Sequence, residues 1–183
     1  MLENGGVSYY SSTDDAALAW AMRYYGESYR AGVEYGAFIY QSEVPVNGSN
    51  VAGYYLGAAI KGEATSISNF WQTEDEINKL VAGWIHTHGN KGGKGDLVFS
   101  LRNKQGEAGD AYVTTWTSHD RKAYLDAHGL TDNSLAPGYL VNNNGTLLKA
   151  SLEWKDRSML DEIQGLLFTD TRYVTTVAQG IPR

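Results

Sequence analysis

The run LVAGWIHTHGN, residues 80–90, constrains this chain more than any other stretch. Its apolar part has the length of a strand rather than of a helix, and a strand this apolar belongs buried in a sheet covered by other elements. The run ends in His86 and His88, two of only four histidines in the sequence. Strand residues i and i+2 project from the same face, so both imidazoles point one way. Followed at once by Gly89 and a polar segment, they make half of a metal site. The alternative is a pair of structural histidines, and a third ligand is what separates the two readings.

The flanking segments supply the cover. Thr13 reads as an N-cap, Asp14 and Asp15 suit a first helical turn, and Ala17, Leu18, Ala21, Met22 and Tyr25 recur at helical spacing, which predicts a helix over 13–29. Strands are predicted over 33–41 and 51–62, either side of the turn-like PVNGSN, and a short helix at TEDEINKL, residues 73–80. Residues 89–116 are rich in Gly, Lys and Asn and read as a long loop insertion with one short strand. Thr117 is then the N-cap candidate of a helix stopped by Gly129, and GYLVNNNGTLLKASL is a hairpin about an Asn-Gly turn. A last helix over 154–167 and a last strand over 171–179 complete the order. It predicts an α+β (α/β/α) architecture with a single mixed β-sheet flanked by helices. The 183 residues fit one domain, with 1–12 a linker or cut end.

Composition narrows the chemistry. With no cysteine in the chain, disulfides, thiolate zinc sites and thiol nucleophiles are excluded, so a metal would need His, Asp or Glu. An excess of 21 acidic over 15 basic residues argues against a nucleic-acid surface, which needs clustered Lys and Arg. No apolar run approaches the ~20 residues of a membrane-spanning helix, and the N-terminus lacks the pattern of a signal peptide. A soluble protein without a membrane partner is expected.

The third ligand is sought among the carboxylates. Asp120 falls in the first turn of the helix predicted at Thr117, where the helix dipole favours a negative charge. Glu34 opens a strand otherwise apolar and aromatic, so it either faces solvent or has a polar role. His86, His88 and Asp120 around Zn²⁺ would leave one position for water, Glu34 would take the water's proton, and Thr117 would donate to the developing oxyanion. Each has a plainer reading: Asp120 and Thr117 serve the helix start, and Glu34 is a solvent-facing edge residue. Phe99-Ser100 with Asn103 offers a second alignment, Asp110 is a further carboxylate within reach of the same loop, and His119 a competing imidazole. GGKGD lacks the context of a phosphate-binding loop.

Taken in order, AALAWAM, EYGAFIY, WIHTHG, WTSHDRKA and GYLVNNNG resemble the JAB/JAMM (MPN)-like metallopeptidase domains at the C-termini of bacterial polymorphic toxins of the Rhs type. The resemblance covers residues 14–152. It implies a cytidine-deaminase-like fold, a zinc-dependent peptidase or isopeptidase, His86, His88 and Asp120 as zinc ligands, Glu34 as general base and Thr117 in place of the family's Ser. It also implies a protein or peptide substrate, a cognate immunity protein and a secreted or delivered effector domain. Gly89 stands where the peptidases usually carry Pro, as in the toxin-linked group. The long insertion leaves open a catalytically decayed binding or delivery module, and a metal-dependent hydrolase of a nucleotide or nucleic acid is a further alternative.

Overall fold

The computed structural model of the protein describes residues 1–4, 7–63, 79–89, 97–102, 107–132 and 134–183. It is a mixed α+β structure. The predicted helix at TEDEINKL lies almost wholly outside the described residues.

A short antiparallel ribbon, β1 (Leu2–Asn4) and β2 (Val7–Tyr9), precedes α1 (Thr13–Ala31). The cap of α1 is Ser12 rather than Thr13: the Ser12 hydroxyl accepts the Asp15 N–H at 3.1 Å. Gly32 ends the helix at a φ of 66°, and its N–H is donated to Ser28 O. β3 (Tyr35–Val46) then pairs with β4 (Ser49–Leu56) and with β5 (Ile60–Lys61). The β3–β4 turn has positive φ at both Asn47 and Gly48, the handedness that matches strand twist.

The central strand β6 (Leu80–Thr87) carries the apolar run, and seven of its eight residues are buried. Within the stretch read as loop, the structure forms β7 (Phe99–Ser100) and begins α2 (Asp110–Ala127), seven residues ahead of Thr117. DAYVTTWT is poor in strong helix formers, which hid this start. The threonines instead bond to the helix itself: Thr114 to Asp110 O, Thr115 to Tyr112 O and Thr117 to Val113 O, at 3.0, 2.7 and 2.9 Å. The predicted hairpin is β8 (Gly138–Val141) and β9 (Leu147–Ala150). The last helix is shorter than predicted: a 3-10 turn, Trp154–Asp156, leads into α3 (Arg157–Glu162), and Leu167–Phe168 form β10, which pairs with β7. β11 (Val174–Ala178) closes the sheet on β9.

The main sheet has the order β11-β9-β8-β6-β3-β4, with β5 also on β3. Among the described residues only β6 and β8 run parallel, and β7 and α2 lie in the crossover that joins them. α1 covers one face through Trp20, Ala21 and Tyr25, packed with Ala37, Ile85, Tyr139 and Val141. α2 covers the other, where Phe38, Tyr40 and Trp84 meet Val113, and Leu140 packs with Ala111 and Tyr112. Alternation along β6 therefore sends Trp84 and His86 toward α2, and Ile85 and Thr87 toward α1. Among the described residues no helix is long and apolar enough to cross a membrane.

Candidate metal centre

Ligands of open α/β sheets gather at the carboxyl ends of the strands, where neighbouring connections part. The carboxyl ends of the parallel pair β6 and β8 carry His86, His88 and the turn from Asn142 to Thr146. His86 is 2% exposed and His88 8%. Each is fixed from outside the cluster. The His86 ring stacks on Trp84 with centroids 4.6 Å apart and planes 13° from parallel, while the Trp84 Nε1–H is donated to Thr114 on α2 at 3.2 Å. His86 Nδ1 lies 3.1 Å from Tyr139 O. A carbonyl can only accept, so Nδ1 carries a proton, and in the neutral ring the lone pair sits on Nε2. The His88 main-chain N–H is donated to Val141 O at 3.2 Å, which ties the end of β6 to β8.

The carboxylate that meets these rings is Asp110, the first residue of α2. His86 Nε2 is 3.4 Å from Asp110 Oδ1, His88 Nε2 is 3.3 Å from Oδ2, and the two Nε2 atoms are 3.2 Å apart. Ser100 holds Asp110 by a reciprocal pair: its N–H is donated to Oδ2 at 2.8 Å, and its hydroxyl accepts the Asp110 N–H at 3.0 Å. Ser100 thereby caps α2 from a neighbouring strand, because the local cap, Gly109, has no side chain to do so. Gly109 is needed for that approach: a Cβ there would stand 2.5 Å from Ser100 Oγ and 2.8 Å from Ser100 O. Burial pushes the Asp110 carboxyl up, but the charge and hydrogen bond of His86, and then those of His88, outweigh it and hold it well below the usual carboxylate range.

With a lone pair on His86 Nε2, the 3.2 Å approach of His88 Nε2 is favourable when a proton or a cation lies between the two nitrogens. A tetrahedral zinc centre with ligand bonds of ~2.0–2.1 Å has ligand–ligand edges of about 3.3–3.4 Å. The two Nε2 atoms, 3.2 Å apart, stand close to such an edge, Asp110 turns one oxygen toward each ring at 3.4 and 3.3 Å, and two imidazoles with one carboxylate leave a fourth position open. The residues present therefore fit a divalent ion of the zinc class.

Of the residues predicted from sequence, His86 and His88 meet as expected, and the carboxylate beside them is Asp110 in place of Asp120. Asp120 is exposed and ten residues further along α2, about 15 Å at the helical rise. Its carboxyl is pushed up by partial burial, against a smaller pull from His119. Thr117 lies two turns beyond Asp110 with its hydroxyl bonded to Val113 O, so the hydroxyl at the cluster is that of Ser100. His119 stacks on Trp154, centroids 4.6 Å apart, away from the site. Asn103 lies outside the described residues. Glu34 is half-buried just ahead of β3. The register pairs Gly36 with His86, and the same alternation continued two residues before Gly36 would put Glu34 on the face that His86 and His88 share. The sequence offers Ser100 only in a second alignment with Asn103 and Asp110 only as a further carboxylate, because their pairing crosses a ten-residue gap. The available signal was a Phe-Ser pair followed by the next Gly-Asp.

Comparison with family models, with curated proteins and with solved structures finds no match to this chain.

Proposed function

We propose that this chain is a zinc-dependent hydrolase, with a peptide or isopeptide bond as its target and delivery as a bacterial toxin or effector domain as its setting. The convergence of His86, His88 and Asp110, with the two Nε2 atoms 3.2 Å apart and a carboxylate oxygen within 3.4 Å of each, is the observation that carries the reading. The resemblance to JAB/JAMM domains supports it through the order of Glu34 and His86-Thr87-His88. The chain departs from that pattern in separating Ser from Asp by ten positions instead of three.

Bound zinc would supply Lewis acidity and a water acidified toward a pKa of ~7. Glu34 would be the residue that takes a proton from such a water and passes it to the leaving amine. The Ser100 hydroxyl, which accepts from Asp110 N, still has its own proton to donate to the oxygen of the attacked carbonyl. His86 keeps its lone pair on the cluster because Tyr139 O takes the other nitrogen's proton. Asp110 stays ionised across the physiological range and balances the ion's charge.

The rival reading, a decayed binding or delivery module, took its support from the long insertion and from threonine in place of serine. With Ser100 beside Asp110 the hydroxyl is a serine. Glu34→Gln separates the two: it is expected to retain zinc and fold while losing hydrolysis of a fluorogenic peptide library by more than about 100-fold. A wild type that cleaves nothing when loaded with zinc, and a Glu34→Gln variant equal to it, would favour the binding module.

A further inference from the structure

Thr87 stands between the two histidines and points to the opposite face of the sheet, toward α1. It is fully buried, and so is Ser28 in the last turns of α1. Two hydroxyls inside an apolar cluster of Tyr25, Ala37, Ile85 and Val141 cost free energy unless their bonds are complete. The Ser28 hydroxyl is donated to Val33 O at 2.6 Å. Its single proton is then committed, so in the 2.6 Å contact between Ser28 Oγ and Thr87 Oγ1 Thr87 is the donor. Thr87 Oγ1 in turn accepts the Tyr35 N–H at 3.0 Å. The chain of bonds thus starts on the residue after Glu34, passes through Thr87 and Ser28, and ends on the residue before Glu34.

The other edge of the same residue is held as well. Glu34 N–H is donated to Glu63 O and Glu34 O accepts the Gly62 N–H, each at 2.8 Å. Ser28 O also receives the N–H groups of Gly32 and Val33, at 2.9 and 3.3 Å, so the segment leading to Glu34 is fastened to the end of α1.

We propose that Thr87 and Ser28 are positioning residues for Glu34: their hydroxyl chain clamps the peptides on both sides of it to the back of the strand that carries the metal ligands. The proposal rests on the reading of Glu34 as general base. One strand residue triplet then sets both halves of the chemistry, His86 and His88 facing the ion and Thr87 fixing the base relative to them. Misplacement of a catalytic group by ~1 Å costs on the order of 100-fold in rate, so the clamp acts on turnover rather than on metal binding.

The test compares Thr87→Val, Thr87→Ser and Ser28→Ala with wild type, all zinc-loaded, by zinc content, by kinetics on a fluorogenic peptide library and by amide hydrogen exchange at Tyr35. Thr87→Val is expected to keep its zinc and KM, to lose about 10- to 100-fold in kcat, and to exchange the Tyr35 amide at least tenfold faster. Thr87→Ser, which keeps the hydroxyl, restores both. Should Thr87→Val fail to fold, Ser28→Ala carries the same expectation from the other end of the chain. Unchanged kcat in a folded Thr87→Val, or unchanged Tyr35 exchange, overturns the proposal. If zinc-loaded wild type cleaves no peptide, the hydrolase reading falls separately, and the Tyr35 amide still decides the clamp.

Discussion

Asp110 concentrates the physics of the site in one side chain. It begins a helix, takes the Ser100 N–H on one oxygen, and faces both imidazoles. Burial raises its proton affinity, and the histidines lower it further than burial raises it. A carboxyl whose folded pKa lies below its unfolded value of ~3.9 stabilises the fold above that pH and loses the contribution as pH falls through and below it. Thermal unfolding of chelator-treated protein from pH 7 to pH 3 is expected to show wild type above Asp110→Asn at neutral pH, with the gap closing below about pH 4. A gap that stays constant with pH would contradict the assignment. The histidines were legible in the sequence because strand alternation is a local rule. Asp110 was not, because nothing local to it records that Ser100 comes to meet it.

At the scale of elements the site depends on how β7 docks on the start of α2. Gly109 allows the docking: any Cβ would press on the Ser100 hydroxyl and carbonyl and on Leu101 C, the last at 2.9 Å. Two of these are backbone atoms that cannot swing aside, so Gly109→Ala is expected to cost about 1–3 kcal/mol and to weaken zinc binding. Chemical denaturation with a chelator competition assay measures both, and a variant with wild-type stability and affinity would show that the close approach is dispensable. α1, β6 and the β8–β9 hairpin were legible because helical spacing, an apolar run and an Asn-Gly turn each signal their element alone. The start of α2 was hidden for the opposite reason. Val113, Thr114, Thr115, Trp116 and Thr117 favour strands by propensity, and they are helical because one side packs on Trp84 and Phe38 and the other on Leu152 and Leu160.

Across the whole molecule, Arg121 joins the two elements that carry the ligands. It is 1% exposed on α2, and its guanidinium is donated to Val81 O at the start of β6 (2.9 Å), to Gln41 Oε1 on β3 (2.7 Å), to Ser134 O and Oγ (3.0 and 2.8 Å) and to Asp132. No sequence pattern marks such a residue, since its partners come from three separate segments. Arg121→Ala removes the buried member of an ion pair whose carboxylate, Asp132, is exposed, and leaves Val81 O and Ser134 O short of a donor. A loss of about 3 kcal/mol or more is expected in urea unfolding, and a loss under about 1 kcal/mol would mean that α2 is held to β6 by apolar packing alone.

The central claim is that one ion belongs between His86, His88 and Asp110. The most direct measurement is elemental analysis of protein purified without an affinity metal and dialysed against zinc, comparing wild type with Asp110→Ala and Asp120→Ala. The account predicts near-stoichiometric zinc in wild type and in Asp120→Ala, and its loss in Asp110→Ala. Absence of zinc from wild type, or loss in Asp120→Ala with retention in Asp110→Ala, would contradict it.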